Sequence, residues 1–251
     1  MRRRLKRQKN QSVLVVRPRF ETATQYGWYY QNKYVIEKCK QLNIPYVDLE
    51  KTKATKKYFN QAIATYDPVL ITGTGHGNPI IFTGQNYSPL LTKYDTKDAR
   101  LIKGRWLSLL SCEFGQSFDW WIWQGVKGIY GYNRTFYFIA ETYPNDIASM
   151  FFDAHHTFDL CLLDGLSAKE AFDKTVLTFN KYIANASEDV ARHLVWDRDS
   201  MVFMGDWRGN PFKSEKERYK IILVGTNTAR LWDRVKGRVE IIGECTLEEL
   251  E

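Results

Sequence analysis

The sequence predicts an α/β fold built on a mostly parallel sheet. Short apolar runs alternate along the chain with segments of helical periodicity, the pattern of successive βαβ units. The 251 residues suffice for one large domain, and a hydrophobic fraction of 44% beside 26% charged residues belongs to an ordinary globular chain. Aromatics make up 15% of the residues, which favours a filled core over disorder.

The elements follow in order. Val13–Val16 reads as the first strand, followed by a helix over Thr24–Leu42 that Asn43 and Pro45 close. Tyr46–Leu49 is a second short strand. Ala54–Thr65 is a second helix, where Tyr58 and Phe59 meet Ala62 and Ile63 one turn on, and Asp67-Pro68 ends it. Val69–Thr72 forms the third strand and runs into Gly73-Thr74-Gly75-His76-Gly77. A loop of about 25 residues, rich in Asn, Pro, Thr and Asp, separates it from the fourth strand, Trp106–Leu110, which runs into Ser111-Cys112-Glu113. Phe118–Gln124 is a short aromatic helix, and Gly128–Tyr132 a fifth strand with a kink at Gly131.

Ile147, Phe151, Ala154, Phe158 and Cys161 then recur at helical spacing as far as Gly165. Ser167-x-x-Glu170 opens the next helix as a capping box, with Ala171, Phe172, Val176, Phe179 and Ile183 as its buried stripe. A shorter helix near Glu188–Val195 precedes the apolar run Met201–Met204. Ile221–Val224 and Val239–Ile242 read as two strands added at an edge. With no internal repeat or linker, residues 12–251 make one domain, with a core of about 12–210 and a strand extension over 211–251.

Charge is segregated. Residues 1–10 carry six Lys or Arg and no acid, and the other 241 residues hold 30 basic and 29 acidic side chains. Six of the seven net positive charges therefore belong to a basic flexible tail, residues 1–11, which reads first as a solvated segment, with a polyanion contact through positions 2–9 as the alternative. No apolar run approaches the roughly 18–20 residues of a membrane span, and Val13–Val16 is too short for a signal-peptide core. The expected location is the cytoplasm, where the Asn-x-Ser/Thr triplets at Asn86, Asn133 and Asn185 carry no meaning. Cys39, Cys112, Cys161 and Cys245 are too widely spaced for a zinc site or a disulfide framework. Cys39 and Cys161 lie in helical patterns as small hydrophobes.

Chemistry concentrates in two loops. Loops at the carboxyl ends of neighbouring parallel strands face one crevice. His76 follows the third strand by four residues and Cys112 follows the fourth by two. If those strands are neighbours, a thiol and an imidazole meet at one sheet edge, the arrangement of a Cys/His hydrolase. Gly75 and Gly77 allow φ > 0 or a close backbone approach to a bound peptide, and Gly115 a tight turn after Cys112.

Thr72-Gly73-Thr74-Gly75-His76-Gly77, followed by Leu109-Leu110-Ser111-Cys112-Glu113-Phe114-Gly115-Gln116-Ser117-Phe118, resembles the caspase-like cysteine peptidases. The likeness is greatest to the gingipain catalytic domain, with clostripain and legumain more distant. Gly125–Gly131 resembles the family's glycine-rich fifth strand, and Met201–Asp206 the strand and Gly-Asp that end the gingipain domain. The resemblance spans about residues 12–210. It implies a caspase-like three-layer sandwich around a six-stranded sheet, a peptide or protein substrate and no cofactor. It also implies Cys112 as nucleophile, His76 as acid/base residue, and the amides of Gly77 and Cys112 as the oxyanion hole. Two departures stand out: Gln-Ala-Cys-x-Gly is absent, so a preference for aspartate does not carry over, and Trp207 stands where a gingipain has Pro.

Gly73-x-Gly75-x-Gly77 is no dinucleotide fingerprint, because Asn78 or Ile80 stands where its last glycine belongs and no amphipathic helix follows. Asp153, His156 and Asp159 share a helix face as metal ligands would, but the preferred reading is an exposed polar stripe beside His155 and no metal. An inactive caspase-like scaffold remains the alternative to a peptidase. For the specificity pocket, Arg17, Arg19 and Arg134, with Asn133, suit an acidic substrate side chain, whereas Glu113 or Asp119 suits a basic one. The family resemblance selects the basic one.

Overall fold

The computed structural model describes residues 11–140 and 143–213, and the backbone of 219–223, 228–233 and 238–244. The basic segment 1–10, with its proposed polyanion contact, lies outside the described residues.

Six strands form the central sheet: β1 (Val13–Arg17), β2 (Tyr46–Glu50), β3 (Leu70–Thr74), β6 (Trp106–Leu110), β7 (Gly128–Tyr132) and β8 (Met201–Gly205), in the order β2-β1-β3-β6-β7-β8. All neighbours run parallel except β7 and β8. Strands β1, β3, β6 and β7 are buried along their whole length, which is why they read as unbroken apolar runs rather than alternating ones.

Side chains of a strand point to opposite faces in turn, and the two faces here serve two cores. Val13 and Val15 of β1, Trp106 and Leu110 of β6, and Tyr130 and Tyr132 of β7 enter one core. That core is closed by α1 (Thr22–Gln31), α2 (Glu37–Leu42), α6 (Asp146–Leu163), α7 (Ala168–Ile183) and α8 (Glu188–Ser200). Leu14, Val16, Leu107, Leu109 and Ile129 enter the other, beneath α3 (Lys56–Tyr66), α4 (Thr96–Ile102) and α5 (Phe118–Trp123). Helix, sheet and helix are thus stacked in three layers. The first core is aromatic: Tyr130 stacks on Phe158 at 4.1 Å between ring centroids, and burying each such ring contributes about 1.5–3 kcal/mol.

Several elements depart from expectation. The first helix starts at Thr22 rather than Thr24, and a π-helical turn over Asn32–Ile36 separates α1 from α2. The long loop after β3 holds the hairpin β4 (Ile81–Thr83) and β5 (Pro89–Thr92) and then α4, which Asp95 caps. Both strands are too short to register as apolar runs. Gly131 does not kink β7: it stays in the ladder opposite Val202, and a Cβ there would lie 2.7 Å from the Leu109 carbonyl oxygen. Residues Ile221–Val224 and Val239–Ile242 overlap β9 (Tyr219–Leu223) and β11 (Arg238–Glu244). With β10 (Thr228–Asp233) between them, these make a separate antiparallel sheet of three strands and add nothing to the edge of the central sheet. No helix among the described residues is long and apolar enough to cross a membrane.

Candidate active site

Strands β3 and β6 are hydrogen-bonded neighbours with Thr74 opposite Leu110. Two residues further along each chain stand His76 and Cys112, so the parallel register brings them out side by side at one sheet edge, where neighbouring strands lie about 4.8 Å apart. Both line a cavity of about 220 Å³. The Gly75 amide donates to the Leu110 carbonyl at 3.1 Å and extends the pairing past the strand ends.

The imidazole is oriented from two sides. Its ring lies 5.0 Å from Tyr87 and 6.1 Å from Phe20, which also pack on each other at 4.9 Å. Its Nε2 lies 3.2 Å from the Glu21 carboxylate. Glu21 is the N-cap of α1, accepting from the amides of Ala23 at 2.8 Å and Thr24 at 2.7 Å, while the Thr24 hydroxyl takes the Glu21 amide in return. Burial works to raise the Glu21 carboxyl. The hydrogen bonds from the amides of Thr24 and Ala23, the Thr24 hydroxyl and His76 outweigh it, so the group titrates below its ordinary value. A carboxylate on Nε2 fixes the tautomer in which Nδ1 is the free, proton-accepting nitrogen.

Cys112 is half-buried, whereas Cys39 and Cys161 are buried. Burial raises its thiol above the usual cysteine range, and a hydrogen bond from the Phe136 amide only partly offsets this. Among the described residues, no backbone carbonyl accepts from the amides of Gly77 or Cys112. Gly77 has no positive φ; it is needed for closeness, because a Cβ would lie 1.9 Å from Ser111 Oγ and 2.9 Å from the Ile81 carbonyl oxygen. The tight turn after Cys112 falls on Glu113, with φ 60°, rather than on Gly115. A non-glycine residue held in the left-handed region beside a reactive group is the kind of local strain that clusters at functional sites.

Solved structures share this arrangement of strands and helices. The crystal structure of the Arg-specific cysteine proteinase gingipain R (RgpB) superposes with a TM-score of 0.52 at 12% identity over 79% of this chain. The complex of the Porphyromonas gingivalis RgpB pro- and mature domains gives 0.55 at 10% identity over 94%, and a structure described only as a protease gives 0.55 at 12% over 95%. The fold is caspase-like. This caspase-like chain spans only 46% of the length of the first of these structures and 62% of the other two. No protein-family model matches the sequence, and no curated protein matches it either.

The remaining residues that the sequence suggested for the pocket of this caspase-like domain lie elsewhere. The Arg17 guanidinium is buried against β2: its Nε donates to Asp48 at 2.7 Å, and a terminal nitrogen pairs with Asp48 and with Glu50 at 3.2 Å. Arg19 lies over the Trp28 ring at 4.6 Å, and Arg134 over Trp196 at 5.1 Å. Asn133 serves through its backbone, its amide donating to Ser200 and its carbonyl accepting from Gln116. Asp119 is exposed in the first turn of α5, and Glu113 bonds the Arg134 carbonyl through its own amide. None of these side chains lines the cavity. Asp206 caps the turn after β8 by accepting from the amides of Arg208 and Gly209.

The expected exposed stripe on α6 is corrected by the structure: His155, His156 and Asp159 are fully buried. The cause is that α6 packs between the sheet and α7, so most of its circumference is covered. Asp153 of the same stripe is half-buried and accepts from the Tyr182 hydroxyl. Ligand atoms of His155, His156 and Asp159 lie within 4.8 Å of one another and could hold a metal ion. They already form a polar network, in which His156 Nδ1 pairs with Asp159 Oδ2 at 2.9 Å, the Thr72 hydroxyl donates to the same oxygen, and Tyr132 pairs with His155 Nδ1.

Proposed function

We propose that this chain is a cysteine peptidase of caspase-like fold that hydrolyses peptide bonds through Cys112 and His76. The observation that carries the proposal is the in-register emergence of His76 and Cys112 on one cavity, with Glu21 holding the far nitrogen of the imidazole. Fold alone would not suffice.

In this mechanism Cys112 Sγ attacks the substrate carbonyl carbon as His76 Nδ1 takes the thiol proton, and a C–S bond forms. Glu21 stabilises the resulting imidazolium. The amides of Gly77 and Cys112 donate to the oxyanion that develops on the carbonyl oxygen. The C–N bond breaks as His76 returns the proton to the leaving amine. Water, deprotonated by the same imidazole, then attacks the thioester; the C–S bond breaks, the new carboxyl product leaves and the thiol is reprotonated.

The test is Cys112→Ala. It abolishes amidase activity while changing stability by less than about 1–2 kcal/mol, as expected for a half-buried thiol whose task is chemical. Full activity in this variant removes the assignment. The second reading, a caspase-like scaffold without activity, draws on the raised thiol titration. Iodoacetamide labelling of Cys112 no faster than that of free cysteine, together with no cleavage of any peptide, would favour it.

A further inference from the structure

The cavity beside Cys112 has a composition at odds with a pocket for a charged side chain. Phe152 of α6 and Phe136 and Phe138 of the segment after β7 wall it, with Leu110 at the end of β6. The rings support one another: Phe138 lies 5.0 Å from Phe152 and 5.0 Å from Tyr26, and Phe136 lies 5.9 Å from Phe152. Its volume of about 220 Å³ is several times the roughly 30 Å³ share of one water molecule, room for a single large side chain. Among the described residues, no Asp, Glu, Lys or Arg contributes to the lining. Its buried polar atoms without a partner are two hydroxyls, those of Thr74 and Ser111.

We propose that this cavity receives the substrate side chain on the acyl side of the scissile bond and that it selects a large uncharged apolar residue, such as Phe, Leu or Met. The inference rests on the peptidase reading for its placement. The thiol attacks the carbonyl of the residue whose side chain is nearest, and Cys112 itself lines the cavity. Selection follows from desolvation. Among the described lining residues, an arginine or lysine entering here meets no carboxylate and an aspartate meets only the His76 imidazole, so a charge that loses its water here is disfavoured. An apolar side chain gains the three phenyl faces. This reading departs from the basic preference that the family resemblance implies: the acids that would supply it, Glu113 and Asp119, are not among the described residues lining the cavity.

The experiment has two arms. In the first, the full chain is given N-acylated peptide fluorogenic amides ending in Phe, Leu, Met, Asn, Asp, Lys or Arg. The expected kcat/KM for the best apolar member exceeds that of every charged member by about 100-fold or more. A preference for Arg, Lys, Asp or Asn overturns the proposal. In the second, non-cleavable N-acetyl amino acid methylamides are titrated into the Cys112→Ala variant, followed by NMR of the Thr74 methyl and the Phe138 and Phe152 rings. Apolar members shift these signals and the arginine member does not. Apolar binding without turnover of any substrate by the full chain keeps the pocket and removes the peptidase reading. No apolar binding, or tighter binding of the arginine member, overturns the pocket.

Discussion

Replacing Glu21 by Gln tests how the imidazole is held. The substitution leaves an oxygen that can still accept from an α1 amide, so the helix cap is weakened rather than lost, a cost within the 0.5–2 kcal/mol range typical of caps. What disappears is the negative charge 3.2 Å from His76 Nε2. Two unit charges at that separation interact by about 5 kcal/mol at an effective dielectric constant of ~20 and by about 1.3 kcal/mol in bulk water. Their side chains are 31% and 35% exposed, so solvent screening brings the working value to about 1–3 kcal/mol, or about 5- to 150-fold in rate. The loss is expected in kcat, because the imidazolium forms only during the reaction, with KM little changed since Glu21 does not line the cavity. Steady-state kinetics on the best peptide substrate, with thermal unfolding as the control for folding, measures both. A Glu21→Gln enzyme with kcat within twofold of the parent and an unchanged melting temperature would refute the reasoning.

Other expectations follow from the same structure. Burial pushes the Asp197 carboxyl well above its ordinary value, only partly offset by the Tyr137 amide, and its second oxygen has no partner. A raised folded-state value means stability is fullest below the unfolded carboxyl value and is lost as pH rises toward the folded one, at about 1.4 kcal/mol per pH unit. Asp197→Asn should therefore flatten urea-unfolding stability between pH 4 and 8 and stabilise the protein at the upper end; a variant less stable than the parent at pH 8 contradicts this. Gly77→Ala should lower kcat/KM by about 100-fold or more, and adding Ser111→Ala should recover part of the loss, because the new methyl meets Ser111 Oγ; full activity in the single variant counts against the close approach. Deleting residues 1–10 removes six basic side chains and should leave folding and peptide cleavage intact, and if the tail binds polyanions only the full-length chain shows salt-sensitive retention on heparin; a truncated form that precipitates or unfolds shows that the tail is structural.

Where side chains fill both faces of the sheet, the sequence was legible. Val13–Val16, Leu70–Thr72 and Trp106–Leu110 are buried on both sides, and buried strands write themselves as apolar runs. His76 and Cys112 could be paired because each follows such a run, and parallel register then does the rest. Glu21 was not found, for its partner lies 55 positions away and the two meet only through the adjacency of β1 and β3. The available signal was an acid at the start of the helix that follows the first strand, with Thr24 three positions on. The charged residues suggested for specificity do not line the cavity, because charge in the sequence was counted without burial. Arg17 is consumed by Asp48 and Glu50, while the aromatic walls come from a loop and the buried face of α6. The polar face of α6 misled for a related reason: periodicity tells which residues share a stripe, but not how many sides of a helix are covered.

The central claim is that Cys112 is a nucleophile driven by His76. Incubation with an activated N-acyl amino acid ester, acid quenching at successive times and peptide mapping by mass spectrometry measures it directly. The account predicts a thioester adduct on Cys112, none on buried Cys39 or Cys161, none in Cys112→Ala, and a rate of formation about 100-fold lower in His76→Ala. An adduct on another cysteine, or one that forms on Cys112 at the same rate without His76, would contradict it.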